Sequence, residues 1–263
     1  MRRAVLHVVL FIVIMAVASA HAQADGSRPV KLRIATTPAP SSRVTHDPAR
    51  PGWIIELLNR VERQANVTFD YVFEPWDQCL RLVRTGLVQA VFNSSFKPDR
   101  AAYGAYPMRD GKPDASRANL HYAYHLYVRK GSGIAWDGQT LSGVTAPVAV
   151  ERKAAIIPLL EKLGTPYLEA ETYTNMIILV RTGRADAMAG IAETVAPLLA
   201  KAPGAADQIV QVTPPLQERA GYLMFSKRYC AKRGAVCEAV WNAVRTVRAS
   251  PEYQAVKAGY HAD

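Results

Sequence analysis

The chain has 263 residues, a formal charge of +10, 49% hydrophobic and 21% charged residues, enough apolar content to bury one large domain or two modest lobes. Its 32 Lys and Arg residues are scattered rather than gathered into a stripe, with no aromatic-basic platform, so a nucleic-acid partner is not expected. The 3 cysteines, Cys79, Cys230 and Cys237, form no Cys-x-x-Cys or Cys/His pattern, so a metal site is not expected; no cofactor is expected either.

The chain opens "MRRAVLHVVLFIVIMAVASAHAQADG". Arg2 and Arg3 make a positive start, the apolar run from Ala4 to Val17 is short for a membrane span, and "ASAHAQA" supplies small residues at cleavage-site spacing. Residues 1–24 therefore read as a signal peptide, cut after Ala22 or Ala24, and the mature protein is expected in the periplasm. Loss of Arg2 and Arg3 lowers the formal charge to +8. In that oxidising compartment the near pair Cys230 and Cys237 is the expected disulfide. Cys79 lies among apolar residues at helical spacing in "PWDQCLRLV" and reads as a buried structural thiol.

Val30, Leu32 and Ile34 alternate with Lys31 and Arg33, the pattern of a strand. After a loop rich in Thr, Pro and Ser, "WIIELLNRVERQA" places Ile54, Leu57, Leu58 and Val61 on one helical face. Val67, Phe69, Tyr71 and Phe73 alternate again; Pro75 opens a helix that Gly86 is placed to end, and "LVQAVFN" predicts a third strand. Alternating strands and helices are the signature of parallel α/β construction. The second half repeats the scheme: strand "APVAV", helix "RKAAIIPLLEKLG" with Pro158 as a kink, strand "YLEAE", helix "TNMIILVRTG" and strand "ADAMAG". "LVRTG" itself recurs, at Leu82–Gly86 and Leu179–Gly183, as the same helix stop in two like units. "ANLHYAYHLYVRKGS" and "RAGYLMFSKR" suit two extended crossings between these units. "CEAVWNAVRTVRA", with Trp241 on its apolar face, and "SPEYQAVKAGY", capped by Ser250 and opened by Pro251, read as closing helices.

From Pro75 onward, "PWDQCLRLVRTGLVQAVFNSSFKPDRAAYGAYP" resembles the family 3 extracellular solute-binding proteins of bacterial ABC uptake systems, which include polar amino acid receptors. The residues that carry the resemblance are Pro75-Trp76, Gly86, Gln89-Ala90, Asn93-Ser94-Ser95, Asp99-Arg100 and Tyr106-Pro107. In the second unit they are Leu141-Ser142-Gly143 and Gly183-Arg184-Ala185-Asp186-Ala187. The resemblance implies an α/β, two-lobed periplasmic binding protein-like fold (type II) with a ligand cleft between lobes and two crossover hinge strands. Lobe 1 would comprise residues 25–123 and 224–263, and lobe 2 residues 124–223. It further implies a monomeric receptor, without enzymatic activity, that hands a small solute to an inner-membrane ABC permease.

In that family an arginine at the place of Arg100 holds the ligand carboxylate, and the role is carried to Arg100 as an expectation. Ligands in open α/β sheets bind beyond the carboxyl ends of strands, so Asn93, Ser94 and Ser95 are expected to offer hydroxyls and backbone N–H groups. Amino acid receptors of the family place an acid where this chain has Ile191, with Glu193 nearby, and have small residues where this chain has Glu151 and Arg152. These departures put a plain α-amino acid in doubt and make Glu151 and Arg152 candidate specificity residues. Trp53, Trp76, Phe96 and Tyr124 are candidate cleft walls, and Tyr173 and Asn175 candidate lobe 2 contacts.

No nucleophile elbow, phosphate loop or zinc-helix motif occurs, so no catalytic residue is expected. His121 and His125 fall on a strand, where the pair is too far apart to chelate alone. The runner-up function is a prephenate- or arogenate-type dehydratase on the same fold, with Glu151 and Glu193 as acid and base. A third reading is a ligand-presenting partner of a membrane sensor.

Overall fold

The computed structural model describes residues 28–37 and 47–260. The predicted leader and the start of the expected lobe at residue 25 lie outside the described residues. Strand β1 (Val30–Thr36) buries Leu32, Ile34 and Ala35 while Lys31 and Arg33 stay in water. Helix α1 (Trp53–Ala65) buries Ile54, Leu57, Leu58 and Val61, and β2 (Val67–Phe73) returns parallel to β1. Helix α2 (Trp76–Thr85) leads to β3 (Ala90–Ser95), also parallel to β1, and the one-turn helix α3 (Pro98–Ala101) follows.

Strand β4 (Leu120–Arg129) carries the chain out of this half. In the second half come β5 (Val148–Glu151), α4 (Ile157–Lys162), β6 (Tyr167–Ala170) and α5 (Tyr173–Arg181). They are followed by β7 (Ala187–Ile191), α6 (Ala192–Lys201) and α7 (Ala205–Gln208). The long β8 (Ile209–Ser226) brings the chain back, and α8 (Lys227–Ala249) and α9 (Pro251–Gly259) close it on the first half. One sheet runs through both halves in the order β6-β5-β7-β4-β8-β3-β1-β2, with the short strand Gly104–Ala105 beside β8. β5, β6 and β7 are mutually parallel, and β4 and β8 are antiparallel to each other, with an irregularity between Val212 and Gln217. Two antiparallel strands are thus the covalent links between the halves.

The repeated "LVRTG" is a repeated helix stop. Gly86 and Gly183 sit at φ 80° and 74°, a left-handed backbone that glycine takes without steric cost. Several boundaries differ from expectation. The third strand begins at Ala90, because Leu87–Gln89 are still turning out of α2. Pro158 does not kink a helix running from Arg152; it sits in the first turn of α4, where its missing N–H is harmless, and residues 152–156 are turns. The returning strand starts at Ile209 rather than Arg219. The following helix starts at Lys227 rather than Cys237, with a break at Arg233. Within α8, Cys230 and Cys237 are joined in a disulfide. Trp241 packs in the core and donates to the Leu223 carbonyl at 2.7 Å.

Two buried groups fix local structure without touching the cleft. Cys79 is fully buried in α2, donates its thiol to the Glu74 carbonyl at 3.3 Å, and burial pushes the thiol up to about 12. Asp186 accepts from the N–H groups of Thr145 and Ala146, both at 2.6 Å, from the Thr145 hydroxyl and from Arg129. Burial pushes its carboxyl up, but these donors outweigh burial and hold it below the ordinary value of 3.8. A lowered carboxylate value means stability that is complete above the ordinary value and lost as pH falls through the folded one. Thermal unfolding should therefore be nearly constant from neutral pH to about 4.5 and drop below it. Asp186→Ala should cost about 2 kcal/mol at neutral pH and flatten that acid limb; an unchanged limb would contradict the assignment. Cys79 should resist a thiol reagent at pH 8 until the chain unfolds, and stoichiometric labelling of the folded protein would contradict its burial.

Candidate functional site

The parallel strands of the two halves end toward one another, and the space between those ends is a cavity of about 240 Å³. Each wall follows from the chain leaving a strand. Thr36 and Thr37 come from the end of β1, Phe92 and Asn93 from β3, Glu151 from β5 and Ile191 from β7. The starts of two helices also face it: Pro75 and Trp76 at α2, and Thr172, Tyr173 and Thr174 at α5. Backbone N–H groups in a first helical turn have no intrahelical acceptor, which gives such a space a fixed partial positive character. Tyr122 and Tyr124 of the crossing strand β4 form its floor.

Among the described residues, Arg100 is the cation that lines this cavity. It is 2% exposed, and its guanidinium lies 5.3 Å from the Trp76 ring centroid. One Nη donates to the Ser95 carbonyl at 3.0 Å and the other to the Lys153 carbonyl at 2.5 Å. The first bond holds it in its own half; the second reaches across to the facing half. Among the described residues no carboxylate lies within ion-pair distance of it, while its remaining N–H groups are uncommitted. A buried cation balanced only by carbonyl dipoles and a ring face is costly to maintain and strongly favours an anion brought in from outside.

Of the other sequence-predicted residues, the structure brings Trp76, Asn93, Glu151 and Tyr173 to the cavity together with Arg100. Asn93 takes φ 66°, a left-handed backbone that Asn tolerates, and this turns its side chain toward the cavity. Ser94 and Ser95 are on the same strand end but do not offer their hydroxyls. The Ser94 hydroxyl is 3.0 Å from the Tyr106 hydroxyl, and that of Ser95 is 2.6 Å from the Tyr122 hydroxyl and donates to the Ala220 carbonyl. Their part is to position Arg100 and the tyrosines.

Arg152 does not line the cavity. It spans its rim, pairing with Asp77 of α2 at 3.3 Å and with Glu171 at 3.5 Å. Asn175 is exposed on α5, where its N–H is taken by the Thr172 hydroxyl at 3.1 Å. Trp53 is buried at the start of α1 and does not line the cavity, with Lys257 over its ring at 4.8 Å. Phe96 packs against Tyr106 instead, with ring centroids 5.3 Å apart, whereas Tyr124 does line the cavity. Glu193 is turned away from the cavity, next to Tyr127, whose hydroxyl is raised by burial and then by that carboxylate. The two acids of the enzyme reading are therefore not brought together. Thr36, Thr37, Phe92, Glu171 and Thr194 line the cavity and were not singled out from sequence. The strand-end rule applied to β1 would have found the two threonines. Tyr124 is raised well above the ordinary phenol value by burial, then by Tyr122, so it stays a neutral wall.

No family model matches the chain, and no curated protein matches it in sequence. Solved structures do match. A histidine kinase sensor domain with similarity to periplasmic binding proteins superposes with TM-score 0.72 at 13% identity, over 89% of this chain and 96% of that one. A Salmonella typhimurium periplasmic binding protein of high arginine specificity gives TM-score 0.67 at 14% identity, over 88% and 98%. The ligand-binding core of GluR0 from Nostoc punctiforme, in complex with L-glutamate, gives 0.65 at 14% identity, over 88% and 99%. The fold is the two-lobed, periplasmic binding protein-like α/β fold, with the cavity between the lobes.

Two polar contacts bridge the lobes at the cavity mouth, Arg152 with Asp77 and Arg100 with the Lys153 carbonyl. Asp77→Asn should widen the ligand-free molecule, read as a larger radius of gyration in small-angle scattering, with little change in melting temperature. An unchanged scattering profile would show that this pair does not hold the lobes together.

Proposed function

We infer that the chain is an exported solute-binding receptor of the family 3 type, which closes on a small polar solute bearing a carboxylate. The observation that carries this reading is Arg100: a cation 2% exposed, facing the interlobe cavity with N–H groups to spare and, among the described residues, no carboxylate at ion-pair distance. A carboxylate has the shape to take those donors two at a time. Trp76, Tyr124 and Tyr173 give the apolar walls that such sites combine with few polar anchors. The amino acid ligands of the structural neighbours support a solute of that size. Ile191 on the cavity wall removes the usual acid for an α-ammonium, while Glu151 and Glu171 supply negative charge from other positions. The reading is therefore an amino acid or related metabolite held by Trp76, Asn93, Arg100, Glu151 and Tyr173, rather than a plain α-amino acid in the usual pose.

The lobes are taken as residues 25–123 with 224–263, and 124–223, with β4 and β8 as the hinge. Closure is a population shift: the solute stabilises the closed form only by the contacts it makes with both lobes at once. Arg100 bonds to both lobes, through Ser95 and Lys153, so a ligand seated on it reports directly on closure. The receptor is read as periplasmic and monomeric, delivering its solute to an inner-membrane ABC permease. The sensor-domain neighbour supports the second reading, presentation of the solute to a membrane sensor; only the protein docked on the closed form differs.

A thermal-shift screen over amino acids, organic acids and aromatic acids tests the reading: a solute that stabilises without turnover supports it, and product formation from prephenate supports the enzyme instead. With such a solute, Arg100→Met should weaken binding by about 2–3 kcal/mol, tens- to a hundredfold, in calorimetry. Unchanged affinity in a folded variant would remove Arg100 from the site.

A further inference from the structure

In lobe 1 a second cavity, of about 330 Å³, opens where the first turn of α1, the start of β4, the end of α8 and helix α9 meet. It shares no lining residue with the interlobe cavity. Among the described residues its charged and titratable lining is Arg248, Lys257, His121 and Tyr253, the last a neutral phenol whose value burial raises, with no Asp or Glu. Arg248 is held by the carbonyls of Ala115 and Ser116, at 3.3 and 3.2 Å, and burial pulls its value down. Lys257 lies over the Trp53 ring. His121 is pulled down by burial and then by Arg248 and Lys257; Glu218 of the neighbouring strand β8 opposes them without lining the cavity, and a bond to the Ala115 backbone does the same. Three basic side chains therefore converge on one cavity whose described lining supplies no carboxylate.

The second observation is Asn119. It is 1% exposed and lines this cavity. Its Nδ2 donates to Asn93 Oδ1 at 3.3 Å, but its own Oδ1 is buried and accepts no hydrogen bond. An unsatisfied buried acceptor calls for a donor. The occupant that answers both demands carries negative charge for Arg248 and Lys257 and an O–H for Asn119.

We propose that this cavity is a second ligand site, for a small oxyanion that also carries a hydroxyl donor, such as a hydrogen phosphate group or a hydroxycarboxylate. One hydrogen bond, Asn119 to Asn93, separates it from the interlobe cavity. Because an anion there favours the imidazolium of His121, binding tightens as pH falls toward 6.

The test is calorimetry and histidine NMR of the mature chain at pH 6, titrated with inorganic phosphate, with glycerate, and with sulfate, which lacks the O–H. The site predicts saturable binding of phosphate or glycerate at least several-fold tighter than sulfate, with an upward shift of the His121 titration. Arg248→Gln and Lys257→Gln should each weaken it tenfold or more, while Arg100→Met should leave it intact. Lys257→Gln carries the test should Arg248→Gln, which loses two backbone contacts, fail to fold. No saturable binding, sulfate bound equally well, or loss of binding in Arg100→Met but not in Lys257→Gln would overturn the proposal. The last outcome would place the anion in the interlobe cavity and leave the receptor reading standing.

Discussion

A guanidinium kept almost wholly out of water, with no carboxylate at ion-pair distance among the described residues, is the constraint on which the site is organised. Burial of an uncompensated charge is among the most expensive arrangements a protein can hold. Here Arg100 is tolerated because carbonyl oxygens and the face of Trp76 supply partial compensation from fixed positions. That compensation is incomplete by design of the geometry: the donors left over point into a space built by both lobes. Under the proposed function, the same arrangement makes recognition and closure one event. The carbonyl of Lys153 belongs to the facing lobe and reaches Arg100 only when the two are together.

The surroundings are arranged to keep that cation in place. Ser94 and Ser95 turn their hydroxyls inward to Tyr106 and Tyr122, and the Ser95 carbonyl accepts from both Arg100 and Tyr106. Tyr122 and Tyr124 belong to one of the two strands that link the halves, so the floor of the cavity is also part of that link. Arg152 adds a rim contact to Asp77 that depends on charge rather than on packing, and it is therefore readily broken and remade.

Much of the architecture was legible because the chain states it locally. Alternation in "VKLRI" and "VTFDYVF", helical spacing in "WIIELLNRVERQA" and the glycine stop in each "LVRTG" need no tertiary information. Pro158 was misread because a proline inside an apolar run looks like a kink unless the first helical turn is known to begin there. Helix α6 was missed because Pro197 interrupts "AETVAPLLAK". Of the expected site residues, strand ends and a positional resemblance led to Trp76, Asn93, Glu151 and Arg100, which the fold places on the cavity wall. The serine hydroxyls face away from the cavity for a conformational reason: the left-handed turn at Asn93 breaks strand alternation, so which neighbour faces the cavity is not set by counting. Trp53 failed because its helical phase, not its place after a loop, decides its surroundings. Asn175 failed because a cap uses its backbone and leaves its side chain outside.

The central claim is that a negatively charged carboxylate, rather than shape alone, is what the interlobe cavity selects. Titration of the protein with a solute that stabilises it, alongside that solute's primary amide, measures this directly, since the two are nearly isosteric and differ in charge. The account predicts that the amide binds at least ten times more weakly, about 1.4 kcal/mol, and that the gap persists at neutral pH. Equal affinity for acid and amide would contradict it.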